Sequence, residues 1–407
     1  MINFVGLGKL GLPLATCFAK NGIYINAIDK NQELIEKLNG GQVPWIEEGL
    51  AENIKSAASN IVYGSSYQNV ANFPTSIVLV NTPSVKSDGS FSNVYVEESI
   101  IELCKKLREV GAQGHHFILS STVMPRTINH NLIPLIESVT GWNIKKQEFG
   151  FSYVPDFVAL GKVIHDFENP DFLMIGSSSS GYAAIAKKLF RTIEQNDPPA
   201  VELNLSEAEL AKVSLNAYIT TKISFANFLK LYADRVEEEI DASKVAMAIG
   251  LDKRIGQKYF RPGAPYGGTC FPRDTWAFMR AAENVGLKSV HMEANEAVND
   301  SLVGQYVSSL IASGVRRIGF YGLSFKEGTS VTTKGVAELI CEKIQGYGFD
   351  VFGTDPNPQS YDNFPFKDKL KFVTTIRELS ELNCDVVYGC HREIPEIPAC
   401  GRFIHVW

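Results

Sequence analysis

The chain has 407 residues, 45% of them apolar, and a formal net charge of −6. That length exceeds what one core supports, since single cores stop growing at about 250–300 residues. The acidic balance gives no sign of a nucleic-acid footprint, and no apolar run reaches the roughly 18 residues of a membrane span. The start, Met1-Ile2-Asn3-Phe4-Val5, has no basic leader and no cleavage site, so no signal peptide is expected. Seven scattered cysteines without a C-x-x-C pair argue against a disulfide framework and fit a reducing cytoplasm.

Residues 2–5 predict a short strand, followed at once by Gly6-Leu7-Gly8-Lys9-Leu10-Gly11. A helix from Leu12 to Lys20 comes next, closed by Asn21-Gly22, and a second strand, Tyr24 to Ile28, ends in Asp29. This is a βαβ unit with G-x-G-x-x-G where a pyrophosphate needs it. Gly6 permits the tight turn, Gly8 lets backbone N–H groups approach the phosphates, and Gly11 lets helix and strand pack closely. Asp29 would accept hydrogen bonds from the adenosine ribose and repel a 2′-phosphate, so NAD is expected over NADP. Lys30 is the neighbour that could take such a phosphate instead. Strands at Ile77–Val80 and Phe117–Ser120 end in Asn81-Thr82-Pro83 and Ser121-Thr122. Thr82 and Thr122 then reach cofactor or substrate at the carboxyl ends of the sheet, or serve only as turn and cap residues.

From about Ser206 to Val236 the pattern is helical, and Ser206 with Glu209 reads as a capping box. About thirty residues is long for a globular helix and suggests a connector or dimerisation element. Lys212 and Asn216 share a face, which could offer an ammonium and an amide to a developing oxyanion or be solvated surface. Gly267-Gly268-Thr269-Cys270-Phe271-Pro272-Arg273-Asp274 puts a cysteine beside two glycines, with a carboxylate four residues on. The glycines are expected to let backbone and substrate approach the thiol. Cys270 reads as a nucleophile or as a structural thiol beside a tight turn. The last third predicts a strand Arg317–Gly322, a helix Ala337–Gln345 and a strand Asp350–Thr354 ending in Asp355-Pro356. This second module lacks the glycine fingerprint, so no second NAD is expected there. The fold class is α/β, with two doubly wound, Rossmann-like domains joined by a long central helix.

In order, these pieces resemble the UDP-glucose/GDP-mannose dehydrogenase family over nearly the whole chain. The resemblance rests on the Gly-rich loop, Leu38-Asn39-Gly40-Gly41 with Pro44, Asn81-Thr82-Pro83, Ser121-Thr122 with Pro125, and Pro155-Asp156-Phe157. It continues through Glu209-x-x-Lys212-x-x-x-Asn216-Ala217, Gly267 to Asp274, and Gly322-Leu323-Ser324-Phe325-Lys326. It implies an NAD-binding domain over 1–200, a central helical domain for dimerisation and catalysis over 201–300, and a nucleotide-sugar-binding domain over 301–407. It implies a four-electron oxidation of a sugar C6 alcohol to a carboxylate with two NAD in turn, in the cytoplasm and by a homodimer. Cys270 would form a thiohemiacetal and then a thioester, and Lys212 and Asn216 would stabilise the oxyanions. Asp274 would hold a water with Thr122 and act as a base. Gly6, Gly8, Lys9, Leu10, Gly11, Asp29, Thr82 and Thr122 would hold NAD. The Phe157–Leu160 segment (Phe157, Val158, Leu160), Tyr259, Arg261, Gly267 and Lys326 would hold the nucleotide sugar with Lys212 and Asn216, and Arg254 would reach in from a partner subunit. The chain departs from the family where Asp156 replaces a longer carboxylate and Leu160 a second one. Arg273 stands for the usual lysine, and Thr333 for an arginine that Lys334 could replace. These departures move thioester hydrolysis onto Asp156 and Asp274. UDP-glucose is the favoured sugar; a UDP-N-acetylhexosamine or GDP-mannose is the alternative, and a nucleotide-sugar sensor without turnover the reading outside the class.

Overall fold

The structure is a computed structural model that describes residues 1–85, 87–158 and 161–407. The chain divides into two compact units, Met1–Val213 and Ser214–Trp407.

The first unit is built on eight strands: β1 (Ile2–Val5), β2 (Ile25–Ile28), β3 (Ile61–Gly64), β4 (Thr75–Val78), β5 (His116–Leu119), β6 (Gly150–Tyr153), β7 (Leu173–Ser177) and β8 (Ala200–Leu203). They run in the order β3-β2-β1-β4-β5-β6-β7-β8, and the β6–β7 pair is antiparallel while every other pair is parallel. All four residues of β1, β4 and β5 are buried, as expected of parallel strands covered on both faces. The helix Gly11–Lys20 covers one face with nine buried residues. Strands four and five begin one or two residues earlier than the sequence predicts, so Leu79-Val80 and Ser120 already belong to the loops beyond them.

A polar seam crosses this apolar sheet. Asn26 Nδ2 donates to Asn3 Oδ1 at 2.8 Å, Asn3 Nδ2 donates to Ser76 Oγ at 3.0 Å, and Ser76 Oγ meets His115 Nε2 at 2.8 Å. Beside it, His116 Nε2 meets Ser152 Oγ at 2.8 Å, and Ser152 Oγ meets Ser177 Oγ at 3.0 Å. Burial pushes His115 down to about 3 and His116 to about 4, so both rings are neutral members of the seam.

The long helix spans Leu205–Ala233 and crosses the boundary between the units. Its capping box is not Ser206 with Glu209. Glu207 N donates to Asn204 Oδ1 at 3.0 Å and Asn204 N to Glu207 Oε2 at 2.8 Å, so the box lies two residues earlier. Glu209 is freed to act elsewhere.

The second unit contains β9 (Arg317–Tyr321), β10 (Asp350–Thr354), β11 (Leu370–Phe372), β12 (Val386–Gly389) and β13 (Arg402–His405). The order is β11-β10-β9-β12-β13 and all pairs are parallel. Its core packs Leu302, Tyr306 and Leu310 of the helix Val290–Ser313 against Ile318, Phe320 and Tyr388 of the sheet. Among the described residues, no helix is long and apolar enough to cross a membrane.

Candidate active site

In the first unit the glycine fingerprint lies between β1 and the helix Gly11–Lys20. Gly6 has φ +99°, and a Cβ on it would sit 2.2 Å from the Leu79 carbonyl oxygen. A Cβ on Gly11 would sit 2.0 Å from the Gly6 carbonyl oxygen, whereas Gly8 has nothing within 4 Å. Two glycines thus close the turn, and the third leaves open space at a helix N-terminus, where backbone N–H groups favour phosphate. Lys9 is exposed at that turn and Leu10 is the helix N-cap. Asp29 accepts from Leu7 N at 2.7 Å through Oδ2 and from Asn31 N at 2.8 Å through Oδ1. It remains half-exposed, so lone pairs are left for ribose hydroxyls. Lys30 lies 4.1 Å from the Tyr95 ring centroid and 3.8 Å from Glu98, partners that hold it against a helix rather than against a 2′-phosphate. These residues fit NAD.

Beyond β4 and β5, Thr82 Oγ1 donates to Thr122 O at 2.7 Å. Ser121 Oγ joins both the N–H and the carbonyl of Val80, at 2.9 and 2.8 Å. The turn that follows contains Arg126 at φ +80°. Glu209, fully buried, holds that turn by accepting from Arg126 N at 2.9 Å and Ile128 N at 2.7 Å. Sequence reading assigned Glu209 to a cap; a carboxylate on the buried face of a helix was the signal for this other role.

Lys212, 7% exposed, donates to Asp156 O at 2.6 Å and lies 4.7 Å from the Phe157 ring centroid. It is therefore a packed residue, not part of a solvated helix face. Asp156 Oδ2 is buried without a hydrogen-bond partner. Desolvation pushes this carboxyl up to about 7, against the pull of the Lys212 ammonium. Val158 packs on the first unit's core; Leu160 lies outside the described residues.

In the second unit Cys270 is exposed and is the N-cap of the helix Phe271–Glu283, where the positive end of the macrodipole favours negative charge. Asp274, 1% exposed, accepts from Asn216 Nδ2 at 2.6 Å through Oδ2 and from Arg273 Nε at 3.2 Å through Oδ1. Asn216 is thereby oriented by Asp274, and one amide N–H remains for a ligand. The two glycines before the thiol admit a close backbone approach, as expected, and the backbone is that of a distant loop. A Cβ on Gly267 would sit 2.0 Å from Lys334 O, and one on Gly268 (φ +78°) 2.7 Å from the Phe325 ring. Gly268 N also donates to Thr333 O at 2.9 Å. The glycines let the thiol's loop approach the loops after β9. Lys334 Nζ lies 3.4 Å from Glu342 of the helix Val336–Lys343 that follows it. Tyr259 has φ +60° and stands edge-on to Phe271. Arg261 is exposed, Arg254 pairs with Asp252 at 2.7 Å, and Lys326 Nζ lies 5.8 Å from the Phe325 ring centroid.

The second module reuses the Asp29 device in closed form. Asp355, 3% exposed, accepts from Leu323 N, Ser324 N and Ser324 Oγ, each at 2.8 Å, and from Asn357 N at 2.8 Å. Gly322 (φ +94°) matches Gly6, but a Cβ there would meet the His391 ring at 2.5 Å. Ser324 stands at the place of Gly8, donates to Asp355 and lies 2.9 Å from His391 Nε2. Among the described residues, no group of three or more His, Cys, Asp or Glu could hold a metal ion.

An open, mostly parallel sheet with a dinucleotide cradle, followed by an exposed thiol with an oriented amide and carboxylate, fits an NAD-dependent dehydrogenase. The chain belongs to the UDP-glucose/GDP-mannose dehydrogenase family: residues 1–194 match its NAD binding domain and residues 206–301 its central domain. It is 30% identical over 365 residues to the UDP-glucose 6-dehydrogenase of Haloferax volcanii, covering 87% of this chain and 83% of that one. It is 28% identical over 365 residues to a GDP-mannose 6-dehydrogenase of Pseudomonas putida, covering 88% and 81%. A UDP-glucose dehydrogenase structure from Pyrobaculum islandicum matches with TM-score 0.88 at 27% identity, covering 100% of this chain and 97% of that one.

Proposed function

We propose that the chain oxidises C6 of UDP-glucose from alcohol to carboxylate. The observation that carries this reading is Cys270, exposed at a helix N-terminus beside an Asn216 amide oriented by Asp274. When bound, NAD supplies the hydride acceptor for both oxidations. In the first, the C6 alcohol gives its proton to solvent water and loses a hydride; Lys212 stabilises the alkoxide. The Cys270 sulfur then adds to the aldehyde carbon, and the thiohemiacetal oxygen is held by Lys212 and Asn216. Loss of a second hydride leaves a thioester. Water attacks its carbonyl, the C–S bond breaks and the thiol is regenerated. Asp156 takes the proton from that water, and Asp274 with Thr122 orients it. Phe157, Val158, Leu160, Tyr259, Arg261, Gly267 and Lys326 contact the nucleotide sugar.

The working form is a homodimer. Tyr218, Phe225, Phe228 and Tyr232 form an exposed stripe at spacings of seven, three and four on the long helix. A second copy would cover it and bring its Arg254 to the site. NADH release with UDP-glucose, UDP-N-acetylhexosamines and GDP-mannose tests the reading. Two NADH per uronate with UDP-glucose is expected; a preference for another sugar moves the substrate, and no turnover with any of them overturns the reading.

A further inference from the structure

The stretch Gly263–Tyr266 leads into Gly267–Cys270 and belongs to no helix or strand, yet side chains bond the N–H and carbonyl of Gly263 and of Tyr266 and the carbonyl of Ala264. Asn227 of the long helix is 0% exposed. It accepts from Gly263 N at 2.8 Å and donates to Ala264 O at 2.8 Å. Asn299 of the helix Val290–Ser313 does the same one step on, accepting from Tyr266 N at 2.8 Å and donating to Tyr266 O at 3.3 Å. Tyr306 OH donates to Gly263 O at 2.5 Å, and Tyr266 OH donates to Glu296 on the same helix as Asn299. Each asparagine amide thus imitates the edge of a strand, offering one acceptor and one donor to a peptide backbone. On the far side, Gly263 (φ +122°) cannot carry a Cβ, which would sit 2.4 Å from Val406 O.

We propose that Asn227 and Asn299 are positioning residues that fix the Cys270 thiol for addition to the aldehyde. The inference rests on the thiohemiacetal chemistry above. Neither residue touches substrate; both act through the peptide that ends at the nucleophile. Hydride removal from the alcohol does not involve the thiol, so misplacing the loop selectively impairs the second half of the reaction. A shift of about 1 Å at a reacting group costs about 10²-fold in rate.

The test uses the full-length enzyme with Asn299→Asp, which keeps the acceptor for Tyr266 N and loses the donor to Tyr266 O, and with Asn299→Leu and Asn227→Asp. Three quantities are read: NADH formed per uronate, aldehyde trapped by hydroxylamine, and the rate of Cys270 alkylation by iodoacetamide. Wild type should give two NADH per uronate and no trapped aldehyde. The variants should exceed two, release trappable aldehyde, slow uronate formation by up to about 10²-fold and change the alkylation rate. KM for NAD should stay unchanged, with Asn299→Asp less affected than Asn299→Leu. A folded Asn299→Leu enzyme with two NADH per uronate, normal kcat and wild-type alkylation overturns the proposal. If Asn227→Asp does not fold, the two Asn299 variants decide. If wild type makes no uronate at all, the functional reading falls, and the alkylation rates alone still judge the positioning role.

Discussion

Burial separates the thiols of this chain by chemistry. Cys17, Cys104 and Cys341 are pushed up to about 12 and Cys384 to about 11, chiefly by desolvation. They are protonated at neutral pH and cannot compete with an exposed Cys270. Replacing Cys270 with Ala should abolish uronate formation, and the quenched wild-type reaction should carry substrate mass on the Cys270 peptide. Full uronate production by the variant would sink the assignment. Lys212→Ala should lower kcat by roughly 10²–10³, the effect of losing one oxyanion donor. Because Lys212 also tethers Asp156 O and covers Phe157, a loss of thermal stability should accompany it. A near-normal kcat would confine Lys212 to packing. Asp156 sets a pH dependence. Its carboxyl, raised to about 7, is protonated below that value and becomes a base above it. Thioester hydrolysis should therefore quicken as pH rises through 7. In Asp156→Asn this limb should vanish, and a burst of NADH should stand out before a slower steady rate; unchanged traces would leave Asp274 as the base.

Among the elements, the glycine turn makes a paired prediction. Gly11→Ala drives a methyl onto the Gly6 carbonyl and should lower Tm. Gly8→Ala meets no protein atom, so Tm should hold while KM for NAD rises. Equal effects of the two on Tm would refute this division of roles. The polar seam predicts acid sensitivity. His115 and His116 have folded-state values far below the ordinary imidazole value of about 6.5, so only the unfolded chain takes up their protons between pH 6.5 and 4. Stability is then undiminished above about 6.5 and falls as pH drops towards 4. Thermal melts over that range should show the loss, and the double variant His115→Asn, His116→Asn should flatten the slope. The sequence made the first βαβ unit legible because its strand, glycine turn, helix and second strand follow one another without interruption from Ile2 to Ile28. It did not reveal the seam or the Asn227 and Asn299 bonds. Those bridge 73 residues from Asn3 to Ser76 and 36 from Asn227 to Gly263, and a side chain bonded to distant backbone leaves no period. The glycines before Cys270 were visible, but not what they face, since Phe325 and Lys334 lie far along the chain.

For the whole molecule, the stripe Tyr218, Phe225, Phe228 and Tyr232 predicts self-association. Sedimentation should give a dimer, and Phe225→Glu with Phe228→Glu should give monomers; a monomeric wild type would remove the second copy from the site. The antiparallel β6–β7 step was hidden in the sequence, because strand direction depends on how the intervening chain is routed rather than on strand composition. The family resemblance carried the second unit further than periodicity did. The contrast between Asp29 and Asp355 has a kinetic consequence. If the first module alone takes a dinucleotide, as Ser324 and His391 packed against Asp355 in the second suggest, one cofactor serves each chain at a time, yet the proposed oxidation removes two hydrides. Spent cofactor must be exchanged in mid-reaction at the same berth. A covalent bond to the sugar would outlast that exchange, so the proposed Cys270 adduct would act as a mooring as well as a chemical intermediate. Processivity in this enzyme is then a race between cofactor turnover and reversal of one carbon–sulfur bond.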